Sequence, residues 1–543
     1  MTDLSPIDIE IIRNALVAAA EDMNVTIWRT ARSTVVRETL DYSTAVFDAE
    51  GRNVAQSARI AIHLNSMATC LEGILAGPIP LADWREGDVI VTNDPYAGGQ
   101  HLPDVLTFKP VYFRGRRIAI TGTLTHHTDV GGGAPGSYDA KAREIYQEGL
   151  RIPPCKVVEA GRVNGALLGV FYANTREPEK VRGDFEAQLA SLDIGAAGVL
   201  RLAERFGPER LQAATDRILD RSEAAMRAAI AGIPDGAYRF EDFVDDDGIT
   251  DEPRLIAAEV RIDGETAKVD LSASGPQAAG PVNCTLNMSK SAVYCAFMCA
   301  AGLEVPANSG AYRPVGITAQ EGTICNALPP APVANRMATA HRIVTTVLGA
   351  LGQAAPERIS AAYYGVSYVY ALGLKGRSGR PEVYFDIEIG GWGAHPEADG
   401  ANALSACLHN LANTPIEMVE SLYPLTVTEY GLAPGSGGEG RRRGGLGLRR
   451  EFRLDAGEGM LSTNYDRFRV PPYGLAGGGA GAPGRSVLTR DGEAVELGSK
   501  VSNLPVRRGD RISRPPAAAD TARRRTATRA TPPATSGSAI ERI

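Results

Sequence analysis

The stretch from Thr92 to Asp104 places Asp94, His101 and Asp104 in one short, turn-rich segment. The run before it, Asp88 to Asn93, is apolar and β-branched and predicts a strand feeding that segment. Pro95, Gly98, Gly99 and Pro103 oppose helix, and the glycines permit sharp turns. Carboxylates and a neutral imidazole on a stiff loop suit a divalent cation, because each offers a lone pair once deprotonated. The same residue types also fit a solvated Gly/Asp loop carrying one incidental histidine.

A second stretch, Arg117 to Gly133, predicts another strand ending in a glycine turn and carries His126, His127 and Asp129. Side chains alternate across a strand. His126 therefore shares a face with Ile118, Ile120 and Leu124, and His127 shares the other with Thr121, Thr123 and Thr125. Only one of the two can point into a given site. The apolar face favours His126, since a buried imidazole needs a partner and a metal supplies one. A backbone carbonyl would satisfy it as well.

These residues carry a resemblance. Asn93 to Tyr96, Gly98-Gly99, His101 to Asp104 and His126 to Gly132 resemble the signature of the hydantoinase B/oxoprolinase family. The resemblance implies a metal held by two Asp and two His, which by position are Asp41, His101, Asp104 and His126. Asp41 lies in Arg37 to Ser43, which matches the family's amino-terminal motif; spacing alone does not select it. Other blocks that match are Ile60 to Met67, Glu148 to Pro154, Gly280 to Ala292, Val305 to Pro314, Ala433 to Glu451 and Asp466 to Gly479. His63, Asn308 and Arg313 within them are candidate substrate contacts, although a helix-entry histidine or a loop cap reads the same way.

The elements that must position these side chains follow in order. Ser5-Pro6 starts a helix whose apolar face is Ile9, Ile12, Leu16, Ala19 and Met23. Ala45 to Ala55 predicts a hairpin turning near Glu50-Gly51. A helix with Met67, Leu71 and Ile74 on one side follows. From about 178 to 232 the pattern is helical, broken at Gly207-Pro208, which predicts a helical hairpin. Strands return after Gly236, and Ser360 to Tyr370 and Glu382 to Ile389 read as further strands. The expected fold is α+β, multi-lobed, with mixed or antiparallel sheets: residues 1–175 bearing the metal site, the hairpin at 176–235, an α+β part with a Gly-rich carboxy-terminal block at 236–513, and an atypical Ala/Pro/Thr/Arg-rich tail at 514–543. The tail's abrupt change of composition suggests a frame shift, testable by resequencing.

The chain has 543 residues and a formal net charge of −7, which disfavours a general nucleic-acid binder. It has no apolar run of membrane-spanning length and does not open on a signal-peptide pattern, so a cytoplasmic protein is expected. Seven scattered cysteines without a Cys-x-x-Cys pair disfavour a structural zinc cluster. Cys295 and Cys299, four apart in a predicted helix, read most simply as core packing. Asp245, Asp246, Asp247 and Asp251 read as a solvated hairpin tip, because no bidentate Glu follows at calcium-loop spacing. His395, Glu397 and Asp399 are a second metal constellation, ranked below the first for want of a supporting strand. The glycines around Arg441 to Arg443 could form an anion-binding nest, but a Walker ending is absent.

Two Asp and two His suit zinc, manganese or iron, whose use is Lewis-acid activation of water. The resemblance implies that a hydantoinase A-type partner spends ATP to phosphorylate a lactam or hydantoin oxygen. This chain would then open the ring of that small cyclic amide, within a hetero-oligomer. His127 or Asp129 would orient a ligand or carry a proton. Alternatives are a component of an ATP-dependent ketone carboxylase and a non-catalytic structural subunit.

Overall fold

A computed structural model describes residues 4–302, 305–376, 379–405 and 407–514, without the side chains of 64, 65 and 514. The tail expected beyond 514 lies outside the described residues. The first helix, α1 (Pro6–Thr30), begins as its sequence predicts. Ser5 Oγ accepts from Asp8 N–H at 3.1 Å, Asp8 reaches back to Ser5, and Pro6 occupies the first turn. Its apolar stripe is buried, and the short α2 (Thr34–Arg37) then leads to Asp41.

The first sheet is seven-stranded and antiparallel throughout. Its members are β1 (Tyr42–Asp48), β2 (Asn53–Gln56), β3 (Val89–Thr92), β4 (Asp104–Phe113), β5 (Arg116–His126), β6 (Cys155–Glu159) and β7 (Arg162–Val163), in the order β2-β1-β5-β4-β3-β6-β7. One face packs on α3 (Ala61–Ala76), through Phe47, Phe108, Ile120 and Leu124 against Met67, Leu71 and Ile74. The other is covered by α1, α4 (Gly165–Ala173) and the predicted hairpin, α5 (Pro178–Phe206) and α6 (Pro208–Ala231), joined at Gly207. A Cβ at Gly195 would lie 2.3 Å from Met23 Sδ, so α5 and α1 approach as closely as they do because that residue is glycine. Ile118 departs from the simple alternation and joins the helix-side core. It is the extra residue of a bulge, since Val111 pairs with Ala119 and Tyr112 with Arg117.

A second, four-stranded sheet holds β8 (Gly236–Val244), β9 (Arg254–Asp263), β10 (Thr266–Asp270) and β11 (Val315–Thr318), with only the β10–β11 pair parallel. It packs with α7 (Leu286–Ala301), the short α8 (Ser309–Tyr312) and the long buried α9 (Arg336–Ala354). After β12 (Tyr368–Lys375), β13 (Pro381–Glu388) and α10 (Ile416–Leu422) come β14 (Leu425–Leu432), β15 (Leu448–Leu454), β16 (Glu458–Asn464), β17 (Val487–Arg490), β18 (Glu493–Glu496), β19 (Lys500–Arg507) and β20 (Arg511–Arg514). They form two antiparallel sheets, β13-β12-β16-β19 and β14-β15-β20-β17-β18. The architecture is thus α+β with mixed and antiparallel sheets, as expected.

The strand predicted from Ser360 begins only at Tyr368. The preceding residues give their N–H groups to loops: Ala361 to the Ala394 carbonyl and Tyr364 to that of Gly391. The Gly-rich carboxy-terminal block is explained by packing rather than by an anion nest. Two loops cross backbone on backbone, with Gly445 N–H donating to Trp392 O and Gly400 N–H to Arg443 O. A Cβ on Gly445 would fall 1.9 Å from Ala401 O. No helix among the described residues is long and apolar enough to cross a membrane.

Candidate metal centre

Two adjacent strands and the turn before one of them deliver the central side chains to one end of the first sheet. Asp104 opens β4 and pairs in register with His126, the last residue of β5. His101 is brought beside them by the turn before β4, in which Asp104 N–H donates to His101 O at 3.0 Å. Gly98, at φ 102°, makes the approach possible, because a Cβ there would sit 2.6 Å from Cys70 Cα. One ligand atom from each of His101, Asp104 and His126 lies within 4.8 Å of the others, and all three residues are buried.

Their unused hydrogen-bonding capacity is the informative feature. Both ring nitrogens of His101, Nδ1 of His126 and Oδ1 of Asp104 are buried without a well-aligned hydrogen bond, His101 Nε2 lying 3.2 Å from Asp104 Oδ2. Buried polar atoms are ordinarily satisfied, and leaving one unpaired costs about 1–3 kcal/mol. Four such atoms in one cluster fit a bound cation. Burial holds both imidazoles well below their usual protonation range, reinforced at His101 by Arg336 and partly offset at His126 by Asp104. They are therefore neutral, the form that donates a lone pair.

Asp41 is adjacent to this group but does not belong to it as the side chains stand. Its carbonyl accepts from His126 N–H at 3.0 Å, which fixes it at the edge of β1 beside β5. The preceding Leu40, at φ 62°, occupies the left-handed region and turns the chain into the site. The carboxylate instead faces His63, with Oδ1 3.5 Å from Nε2. Burial, and then the Asp104 charge, push its carboxyl well above the usual carboxylate range. His63 is likewise buried at the site, with Nδ1 3.4 Å from Ser43 Oγ and its protonation pushed down to about 3 by burial.

Several further residues complete the site, and of these only Glu148 lies in a block that matches the family. Arg336, at the start of α9, donates to Asp104 Oδ2 at 2.7 Å and to Gln100 Oε1 at 3.0 Å. Its Nε and Nη1 are buried without a partner. Tyr138 Oη lies 3.5 Å from His126 Nε2, and Phe385 of β13 stacks on the His126 ring at 4.9 Å. Glu148 accepts from Val333 and Ala334 N–H at 2.7 and 2.8 Å, which holds the segment leading into Arg336. Burial raises this carboxyl to about 8, opposed in part by those two N–H groups. A buried arginine has no local sequence signature; the one available clue is that Arg336 opens a helix of apolar periodicity.

Other predicted residues are engaged elsewhere. His127 lies on the helix-side face, with Nε2 3.0 Å from Gln188 Oε1 and its ring against Phe171 and Phe185. Strand alternation at His126 sends it there. Asp129 accepts from the N–H groups of Gly131, Gly136 and Arg176 and pairs with the Arg176 guanidinium at 2.8 Å, so it ties loops together. Asp94 pairs with Arg151 at 2.8 Å. Asn308 caps α8 and donates to Ser222, while Arg313 pairs with Asp220 and Glu223 on α6. These contacts tie His127, Asp129, Asn308 and Arg313 to the scaffold. In the second constellation, His395 Nδ1 faces Glu397 N–H and Asp399 accepts from Arg443 N–H, and the three form no ligand cluster among the described residues. The acidic tip is charge-paired, Asp247 to Arg254 at 2.7 Å and Asp246 to Lys500 at 3.5 Å.

Residues 5–515 match the hydantoinase B/oxoprolinase family. The chain belongs to that family. It is 33% identical to the B-type component of a putative D-/L-hydantoinase from Pseudomonas sp. (strain NS671), over 93% of this chain and 87% of that one. It is 34% identical to the beta chain of the caprolactamase of Pseudomonas jessenii, over 83% and 78%. The crystal structure of the ATP-dependent caprolactamase from Pseudomonas jessenii superposes with a TM-score of 0.89 at 31% identity, covering 96% of this chain and 91% of that one. The nucleotide-free acetone carboxylase structure matches with a TM-score of 0.89 at 18% identity, over 96% of this chain and 76% of that one, a likeness of fold alone.

Proposed function

We propose that this chain is the ring-opening component of an ATP-dependent cyclic-amide hydrolase that works with a hydantoinase A-type subunit. The observation that carries the reading is the cluster of partnerless lone pairs on His101, His126 and Asp104 beside a buried guanidinium with two partnerless N–H groups. The first set is a receptor for a divalent cation, and the second is a receptor for an anion. A substrate whose ring oxygen has been phosphorylated brings an anion to the same place.

Asp41, His101, Asp104 and His126 would hold the cation, with Asp41 turning from His63 to join the other three. Zinc, manganese or iron all suit such oxygen and nitrogen donors. Bound there, the cation supplies Lewis-acid activation of water. The chain's own residues do the rest. Arg336 orients the substrate phosphate through its Nε–H and Nη1–H while its Nη2 stays hydrogen-bonded to Asp104. Tyr138 and Phe385 wall the His126 side and limit bulk water. His63, whose Nε2 is freed when Asp41 turns to the cation, takes the proton released as water adds to the activated ring carbon. The carbon–nitrogen bond then breaks as the nitrogen takes up a proton, leaving an acyl phosphate, and a second water hydrolyses that acyl phosphate to the ring-opened amino acid or carbamoyl product and inorganic phosphate.

ATP use and the partner rest on kinship: the two relatives are named as single components of larger enzymes, and the caprolactamase is named as ATP-dependent. The 34% identity with a caprolactamase chain favours amide hydrolysis over ketone carboxylation, for which only the fold speaks. The test is co-expression with a hydantoinase A-type subunit and a screen of cyclic amides for ATP-dependent ring opening, with ketones plus bicarbonate in parallel. The reading expects turnover of a lactam or hydantoin, and its loss in His101→Ala with the complex still assembled. Ring opening retained in His101→Ala, or turnover confined to the ketone arm, would overturn it.

A further inference from the structure

A second cluster of ligand atoms lies outside this site. Cys295 and Cys299 stand four residues apart on α7, so both sulfurs project from one face of its last turns. The loop bearing Cys407 brings a third sulfur between them. Cys407 Sγ is 3.2 Å from Cys295 Sγ and 3.6 Å from Cys299 Sγ, and all three sulfurs lie within 4.8 Å of one another. Cys407 itself is at φ 50°, in the left-handed region, which aims its side chain back at the helix. Two sulfurs make a disulfide; a third at equal range is surplus to that chemistry but completes one face of a tetrahedron. Around an ion with zinc–sulfur bonds of about 2.3 Å, neighbouring sulfurs are about 3.8 Å apart. The Cys407–Cys295 and Cys407–Cys299 edges would open by about 0.6 and 0.2 Å to reach that spacing.

Access and surroundings agree with a cation site. Cys295 is buried, Cys407 half-buried and Cys299 exposed. Cys299 and Cys407 line one cavity of about 440 Å³ together with His395 and Asp399. An ion can thus enter from solvent, with its fourth position facing that cavity. The loop also matters to the first site. Two residues on, His409 Nε2 lies 2.6 Å from Ser367 Oγ and 3.4 Å from His341 Nε2, and Leu408 O accepts from Ile62 N–H beside His63.

We propose that Cys295, Cys299 and Cys407 form a three-thiolate site for a thiophilic d¹⁰ cation of the zinc class, which staples the end of α7 to the loop that runs past the catalytic centre. Three soft sulfur donors select such an ion over the harder cations suited to the His/Asp site. Binding releases the thiol protons and changes no oxidation state. The proposal is independent of the hydrolase reading.

The test uses the full chain, reduced and stripped of metal. On loading with Co²⁺, a sulfur-to-cobalt charge-transfer band should appear in the near ultraviolet. The His/Asp site has no sulfur ligand and cannot produce it, so the band should persist in His101→Ala. Cys299→Ser and Cys407→Ser should lose the band and about one equivalent of zinc per chain. In the unmodified protein, Zn²⁺ should protect Cys295, Cys299 and Cys407 from alkylation while Cys155 keeps reacting. This measurement needs no variant to fold. Absence of the band, equal alkylation with and without Zn²⁺, or a Cys295–Cys407 disulfide that persists under reductant would each overturn the proposal.

Discussion

His126 and His127 are neighbours in sequence and opposites in circumstance. His127 has one protein partner: Gln188 meets its Nε2, and Gln188 is itself fixed by Val105 O and Thr123 Oγ1, while its Nδ1, like that of His126, is buried without a partner. His126 faces the other way, into a group where imidazole and carboxylate atoms lack partners. Both are buried and both are neutral. Each leaves Nδ1 without a partner, so the difference lies in the company: only His126 has further ligand atoms, on His101 and Asp104, within 4.8 Å. A single orphaned atom is a local packing cost; several that converge on one point are a receptor for a guest.

That contrast can be broken by substitution. The largest effect is expected at Arg336→Met, which removes the anion receptor and leaves Asp104 without its cation. Activity in the reconstituted complex should fall by roughly 10²–10³-fold, mostly in kcat, as for loss of a positioned charge at a reacting centre. A change confined to KM would place Arg336 in ground-state binding only. His127→Leu should instead cost stability, about 1–3 kcal/mol by denaturant unfolding, because Gln188 loses a buried partner. Activity per folded molecule should be retained; a loss comparable to that of Arg336→Met would return His127 to the chemistry.

A subtler effect concerns pH. Glu148 holds the Arg336 segment and has its carboxyl raised to about 8 from an ordinary value of 4.5. The folded state therefore binds this proton more tightly than the unfolded chain. Its contribution to stability is fully present below about 4.5 and is lost as pH rises through about 8. Glu148→Gln should flatten the fall in stability across that window. An unaltered slope would mean that Glu148 is ionised throughout. The smallest effect is expected at Arg313→Ala, whose partners are on the half-exposed face of α6. It should change stability by no more than about 1 kcal/mol and leave turnover untouched.

Much of the His/Asp site was legible because strand alternation and register are local rules. His126 could be chosen over His127 from the pattern of Ile120 and Leu124 alone, and β4–β5 pairing then sets Asp104 opposite it. Family resemblance supplied Asp41, which its own neighbours do not mark. Arg336 was not legible: it meets Asp104 across 232 residues of chain, and nothing in its surroundings distinguishes it from a helix-opening arginine on the surface. The cysteine group was hidden for the same reason. Cys295 and Cys299 at helical spacing look like core residues until Cys407, 112 positions after the first of them, is placed against them. For Asn308 and Arg313 a motif match does not say whether a polar side chain faces a ligand or caps the scaffold, and the contacts they make are with Ser222, Asp220 and Glu223.

The most direct measurement is Mn²⁺ binding, followed by electron paramagnetic resonance, in the unmodified protein, His126→Ala and His127→Leu. Manganese prefers oxygen and nitrogen donors, so the cysteine group does not compete. The account predicts about one tight site per chain in the unmodified protein, retained in His127→Leu and weakened at least 100-fold in His126→Ala. Equal binding by both variants, or no tight site in the unmodified chain, would contradict it.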